Sequence, residues 1–306
     1  MTPSAPINHS LSAINLLRKF IFAVYYSNVL IAIAAATLLW QVQLQMHPAH
    51  IIAKQLLWAA IACYTFYNLH DLYTKVISHQ VQPTARQQFW LRFWPALLII
   101  NAAAIAVSYA FIPLQLSATQ WEVVGITVLL SLAYSFPVLP FTRMKRWKNN
   151  GIWKICMLAF VWSFFCTLFD LTSWNDRTSE LILLLIFRVC FLVMITIPFD
   201  NRDAAIDQEY MSRSLLQVWS HEALKNIILL LGSMGAMLLL VYQMQFNLSI
   251  IFIAAHLLYW CGIVWWSLRA HQQPNAPLRF LWLDVQLILQ PTFLGIGLLD
   301  TYIRST

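Results

Sequence analysis

"LILLLIFRVCFLVMITIPFDNRDAAID", residues 181 to 207, runs through nineteen positions with one charge and then sets three aspartates within eight. The apolar part is close to the roughly 20 residues that carry a helix across a bilayer. Asp200, Asp203 and Asp207 recur at i, i+3 and i+7, which on a helix of about 3.6 residues per turn gathers them into one narrow sector. Like charges so arranged repel, and at a membrane boundary they are costly unless a cation sits among them. Oxygen ligands of this kind suit a hard divalent ion, and Mg²⁺ is usually held by one or two carboxylates together with substrate phosphates. The plainer alternative is a solvated loop whose acids merely follow the helix end. Pro198 predicts a kink just before them.

The whole chain agrees with a membrane setting. Of 306 residues, 60% are apolar and 10% charged, and the mean hydropathy is +0.66. These values lie far from those of soluble domains. Nine spans are predicted, at 20–40, 55–74, 93–114, 121–141, 152–171, 181–199, 226–245, 248–268 and 280–299. The first run is long and lacks a small-residue cleavage site, so it reads as a retained helix and not as a signal peptide.

With the N-terminus inside, 15 of the 19 lysines and arginines fall on the cytoplasmic side. The remaining four are Lys54, Arg177 and Arg304 outside, and Arg188 within a span. The net charge of +7 thus has a topological explanation, and no nucleic-acid partner is expected. The fold class expected is all-α: a polytopic membrane helical bundle of about nine transmembrane helices with a cytoplasmic N-terminus. Residues 1–17 read as a polar N-terminal segment and 18–306 as a single transmembrane domain. The five cysteines have no close CxxC spacing and the eight histidines no HxxxH or HExxH pair, which speaks against zinc or a disulfide framework.

A second polar stretch, "FYNLHDLYTK" at 66–75, ends the second span. Its Asn68, Asp71 and Lys75 repeat the spacing of Asp200, Asp203 and Asp207. Four spans separate the two clusters, so both emerge on one side, where they are expected to face each other across the bundle. Between them lies the densest basic segment, "YSFPVLPFTRMKRWKNNGIWK" at 134–154.

Together these stretches resemble the UbiA superfamily of intramembrane prenyltransferases. The second aspartate motif of that family reads like NDxRDxxxD, and "FDNRDAAID" at 199–207 reproduces all but its first residue. The family's loop after the fourth helix often reads YSxPPxRLKR, and "YSFPVLPFTRMKR" at 134–146 is similar with two residues inserted. The departure lies in the first motif, NDxxDxxxD, which aligns with Tyr67, Asn68, Asp71 and Lys75, so that two of its three aspartates are replaced. After Asp207 the usual Gly-Lys-Arg-Thr-Leu is replaced by "QEYMSRSLL".

The resemblance implies transfer of a prenyl group from a prenyl diphosphate to an aromatic or lipid acceptor, with Mg²⁺ as cofactor and membrane lipid as surroundings. It implies Asn68, Asp71, Asp200, Asp203 and Asp207 as metal-binding residues and Arg143, Lys145, Arg146 and Arg202 as diphosphate-binding residues. Asp71, Asp203 and Lys75 become the catalytic residues, Lys75 standing in for a cation. The site is expected to face the cytoplasm from the cell inner membrane. Two alternatives belong to other classes: a relative that binds an isoprenoid or lipid without catalysis, and a transporter using Asp71 and Asp203 as ion sites. Arg188, mid-span, must face the interior and find a partner there.

Overall fold

The computed structural model describes residues 9–49, 51–72, 85–111, 116–135, 151–171, 178–209, 214–273 and 277–305. Among these, all regular structure is helical: α1 (His9–Tyr26), α2 (Val29–Met46), α3 (Ala53–Asp71), α4 (Ala85–Phe111), α5 (Ala118–Ser135), α6 (Gly151–Leu168), α7 (Thr178–Glu209), α8 (His221–Gln245), α9 (Ile250–Gln272) and α10 (Pro277–Ser305), with a short 3₁₀ turn at Leu215–Gln217. The protein is a polytopic all-helical membrane protein. Helices α2, α4 and α6 to α10, seven in all, are long and apolar enough to cross a membrane. Helix α3 carries Lys54, Asn68, His70 and Asp71, and α5 carries Gln120 and Glu122; neither is apolar enough to join those seven.

The first predicted span, 20–40, is broken. Helix α1 ends at Tyr26, α2 begins at Val29, and Asn28 between them has φ +63°. Asparagine is one of the few residues that adopts this left-handed conformation readily. Hydropathy alone gives little sign of the corner, because Ser27 and Asn28 make a break of only two polar residues in a long apolar run. The other eight predicted spans fall on α3 to α10. Pro198 lies inside α7 without ending it, and the helix runs on to Glu209.

The chain forms two compact units. One comprises Met1–Ile33 and Trp58–Pro113, the other Ala34–Leu57 and Leu114–Thr306. In the first, Trp90 Nε1 of α4 donates to the carbonyl of Tyr26 at 3.1 Å. That carbonyl closes α1, where backbone acceptors lack helical partners. Leu98, Ile99, Ile100, Ile105 and Val107 of α4 are exposed, as expected of a surface solvated by lipid.

In the second unit α7 is the central helix, packing on α6, α8, α9 and α10. Its Leu181, Leu184, Phe187, Phe191, Met194 and Ile195 are buried. Helices α8 and α9 approach closely because Gly232 presents bare backbone to Val264 and Gly235 to Trp260, whose Nε1 donates to the Gly232 carbonyl at 2.8 Å.

Arg188 is buried within this unit, and its partners are now visible. Its guanidinium donates to the carbonyl of Cys166 (2.8 Å), to Thr167 Oγ1 (3.0 Å), to Gln41 Oε1 (2.9 Å) and to the carbonyl of Leu38. Cys166 and Thr167 lie in the last turn of α6, where unpaired carbonyls and the negative end of the helix dipole favour a cation.

Candidate functional site

The predicted site residues fall in two clusters, one in each unit. In the second unit, Asp200, Asp203 and Asp207 occupy the last three turns of one continuous helix, so their i, i+3, i+7 register holds along the backbone. The side chains of Asp203 and Asp207 lie outside the described residues. Asp200 is buried and joins three segments. Its Oδ1 accepts from Lys154 Nζ at 3.0 Å, and its Oδ2 accepts from the backbone N–H of Leu215 at 2.7 Å.

Lys154 stands in the first turn of α6. Leu215 opens the 3₁₀ turn, whose N-cap residue Ser214 makes no capping bond of its own. The Asp200 carboxylate therefore supplies the cap from α7. A carboxylate offers about four lone-pair sites, so two remain beyond these contacts.

The neighbouring positions fix the end of α7. Asn201 Nδ2 donates to the carbonyl of His271 at 2.6 Å and lies 3.4 Å from its ring Nδ1. His271 Nε2 is 3.2 Å from the carbonyl of His221. With Nε2 protonated the ring satisfies both neighbours: Nε2–H donates to His221, and Nδ1 accepts from Asn201. Arg202 lies with its guanidinium carbon 5.1 Å from the Phe199 ring centre and 4.8 Å from that of Phe280. Such stacking holds a guanidinium by cation–π attraction.

The N-terminal ends of α6, α8 and α10 thus meet the C-terminal ends of α7 and α9. Lys154, Arg202, Lys225, Arg269 and Arg279, all assigned by sequence to one membrane face, share that end of the unit.

In the first unit, Asn28, Asn68, Asp71 and Arg86 form a buried polar knot. Asn28 Nδ2 donates to Asn68 Oδ1 at 2.9 Å and to Asp71 Oδ2 at 2.8 Å. Arg86 Nη2 donates to Asn28 Oδ1 at 2.6 Å and to Asp71 Oδ2 at 3.0 Å. Asn28, Asn68 and Asp71 are each at most 4% exposed. Arg86 enters from the first turn of α4, and its Nε is buried with no hydrogen-bond partner among the described residues.

Of the other predicted residues, Lys75, Arg143, Lys145 and Arg146 lie outside the described residues. Among the described side chains no three His, Cys, Asp or Glu residues converge. Sequence reasoning did not single out Asn28, Arg86 or Lys154 as site residues. Asn28 was hidden inside an apolar run. Arg86 and Lys154 were counted only as topological charges, and no spacing ties either to an aspartate 15 or 46 residues away.

The opposite end of the second unit carries a further polar cluster. Asp170, just beyond α6, is buried; Gln43 Nε2 lies 3.5 Å from its Oδ1, and His47 Nε2 lies 3.8 Å from its Oδ2. Burial pushes the Asp170 carboxyl up from 3.8 to about 6, with His47 and the Gln43 hydrogen bond partly opposing the rise.

No protein-family model matches the chain, and no curated protein does. Among solved structures, a digeranylgeranylglyceryl phosphate synthase in membranes is similar, with a TM-score of 0.56 and 12% identity, covering 93% of this chain and 99% of that one. The fold expected from the resemblance to intramembrane prenyltransferases is therefore the fold observed.

Proposed function

We propose that this chain is an intramembrane prenyltransferase of the UbiA type, moving a prenyl group from a prenyl diphosphate to an aromatic or lipid acceptor. The observation that carries the proposal is the carboxylate set of α7. Three aspartates at helical spacing end a membrane-spanning helix, and the one whose side chain is described is held by an ammonium and a backbone N–H at 3.0 and 2.7 Å. The shared fold supports it.

In the reaction the allylic C–O bond breaks and the electron pair leaves with pyrophosphate. The acceptor's carbon or oxygen then bonds the prenyl carbon and gives up a proton. Asp203 and Asp207, with the remaining lone pairs of Asp200, would supply oxygen donors of the kind that Mg²⁺ takes. When bound there, the ion neutralises charge on the departing diphosphate. Around it, the protein's own work is electrostatic and positional. Arg202, stacked on Phe199 and Phe280, adds a guanidinium on the same helix as the aspartates, a group suited to phosphate oxygens. Arg143, Lys145 and Arg146 would add charge from the basic segment. The site faces the cytoplasm from the inner membrane, as the distribution of basic residues suggests.

Equilibrium binding of a radiolabelled prenyl diphosphate to the purified protein tests this. Asp203→Asn is expected to weaken binding about tenfold or more and to remove most of its Mg²⁺ dependence. Unchanged binding in the variant, or binding by the wild type undiminished in EDTA, would refute the proposal. Mg²⁺-dependent binding without transfer to any of a broad acceptor panel would assign the chain to relatives that bind without catalysis.

A further inference from the structure

A motif that held a divalent ion between Asn68 and Asp71 would leave a gap between their oxygens for an ion about 2.0–2.1 Å from each ligand. The gap is filled by protein. Asn28 Nδ2 stands 2.9 Å from Asn68 Oδ1 and 2.8 Å from Asp71 Oδ2, donating to both. It stands where a metal would, at hydrogen-bond distances.

The charge balance points the same way. Asp71 is the one carboxylate among the four residues, and the Arg86 guanidinium lies 3.0 Å from its Oδ2. The pair is neutral, which leaves no net negative charge to draw a divalent cation. Turning Asp71 Oδ2 to a metal would cost both of these bonds and leave the cation of Arg86 beside the incoming ion. The donor set of the first motif does not fit Mg²⁺.

We infer that the first motif of this chain binds no divalent metal, and that Arg86, wedged against Asp71 by Asn28, is the cation it presents to the phosphate oxygens of a diphosphate. For its substrate this rests on the prenyl-transfer reading. Three features equip Arg86 for the role. Its Nη2 is anchored by two acceptors, so the guanidinium plane is fixed before any ligand arrives. Its buried Nε–H has no hydrogen-bond partner among the described residues, and a buried donor gains most from an anionic acceptor. Its side chain is 27% exposed, so Arg86 is not sealed inside the unit.

Asn28 acts through the other two, as a positioning residue. Its backbone at φ +63° turns the amide into the knot, at a corner where most side chains would be strained. The chain would then need fewer divalent ions than a site with two complete aspartate motifs, because a covalently attached cation replaces one of them.

Two measurements on the full-length protein in detergent test this. Mn²⁺ binding followed by electron paramagnetic resonance, with no diphosphate present, is expected to show at most one tight site per chain, unaltered within about twofold by Asp71→Asn. Two tight sites in the wild type, or a tenfold loss of Mn²⁺ affinity in Asp71→Asn, would overturn the assignment. Inorganic pyrophosphate binding in EDTA is expected to be weak but measurable. It should fall about tenfold in Arg86→Gln and be partly retained in Arg86→Lys. Absence of that binding in the wild type, or undiminished binding in Arg86→Gln, would also overturn it. If Arg86→Gln does not fold, the wild-type Mn²⁺ count decides. Pyrophosphate bound through Arg86 by a chain that binds no prenyl diphosphate, with or without Mg²⁺, would refute prenyl transfer and sustain the role of Arg86.

Discussion

Replacing Asp200 by asparagine separates a residue that builds the site from one that only uses it. The wild-type carboxylate faces two donors, the Lys154 ammonium at 3.0 Å and the Leu215 N–H at 2.7 Å. An amide has one oxygen and one NH₂, so in the variant one of those donors must face another donor. The cheaper arrangement keeps the oxygen on Leu215, whose residue is buried, and releases Lys154, which is 21% exposed and can reach water. Breaking a fully buried pair costs about 3–5 kcal/mol, while losing one charged hydrogen bond costs about 1.5–3 kcal/mol. With Lys154 able to resolvate, the loss should be about 2–3 kcal/mol, a fall of roughly 5 °C in Tm for a chain of this size. Thermal unfolding in detergent, read by tryptophan fluorescence, measures it. Lys154→Met should cost a comparable amount, and the double variant should cost less than the sum, because the two residues share one interaction. A Tm change below 1 °C in Asp200→Asn, or strictly additive effects, would refute the structural role assigned to the carboxylate.

Two further substitutions probe the interior and the opposite end of the second unit. Arg188→Met removes a buried charge that costs about 3 kcal/mol near the centre of a membrane helix but orphans four acceptors worth about 1–3 kcal/mol each, so it should lose several kcal/mol net. Arg188→Lys loses the planar fork but keeps the charge and some of those bonds, so it should unfold at the higher temperature of the two; the reverse order of Tm would disprove this account. At the opposite end, the Asp170 carboxyl is raised to about 6, so ionisation is disfavoured in the folded state. Stability should be highest below about pH 4 as far as this group is concerned and should fall as pH rises through 6, by roughly 3 kcal/mol at about 1.4 kcal/mol per pH unit. Asp170→Asn should flatten that slope between pH 4 and 7, and an unaltered slope would show that another group sets it.

The parts of the fold that were legible in sequence are those that depend on apolar length. Helices α3 to α10 lie where unbroken apolar runs lie, because a bilayer leaves a backbone no choice but to satisfy itself. The corner at Asn28 was not legible, since it depends on hydrogen bonds to residues 40, 43 and 58 positions away. The same physics governs the site. Spacing along one helix exposed Asp200, Asp203 and Asp207 as a set, but the donors that hold Asp200 come from α6 and from the turn at Leu215. Arg86 and Lys154 illustrate the limit. Each could be counted toward topology from sequence, and only tertiary contact shows that it also neutralises a particular aspartate.

Depth within the second unit bears on the choice between enzyme and carrier. A carrier that moves ions or protons places exchangeable charged groups near the membrane midplane. In α7 the mid-span charge is Arg188, and its recorded partners are two backbone carbonyls, a hydroxyl and an amide oxygen, all neutral. None of these acceptors titrates near neutral pH, and the cation is bonded to two other helices of the unit, α2 and α6, so it has the attributes of a cap for α6 and not of a transport ligand. The carboxylate of α7 lies instead at residue 200, twelve residues further on, or about 18 Å at 1.5 Å per residue. There it meets a lysine and the ends of neighbouring helices, where a water-soluble diphosphate head can arrive while its hydrocarbon chain stays in the bilayer. A charge locked at mid-depth and an acid at the helix end fit the proposed transfer on an amphiphile better than they fit a conduction path.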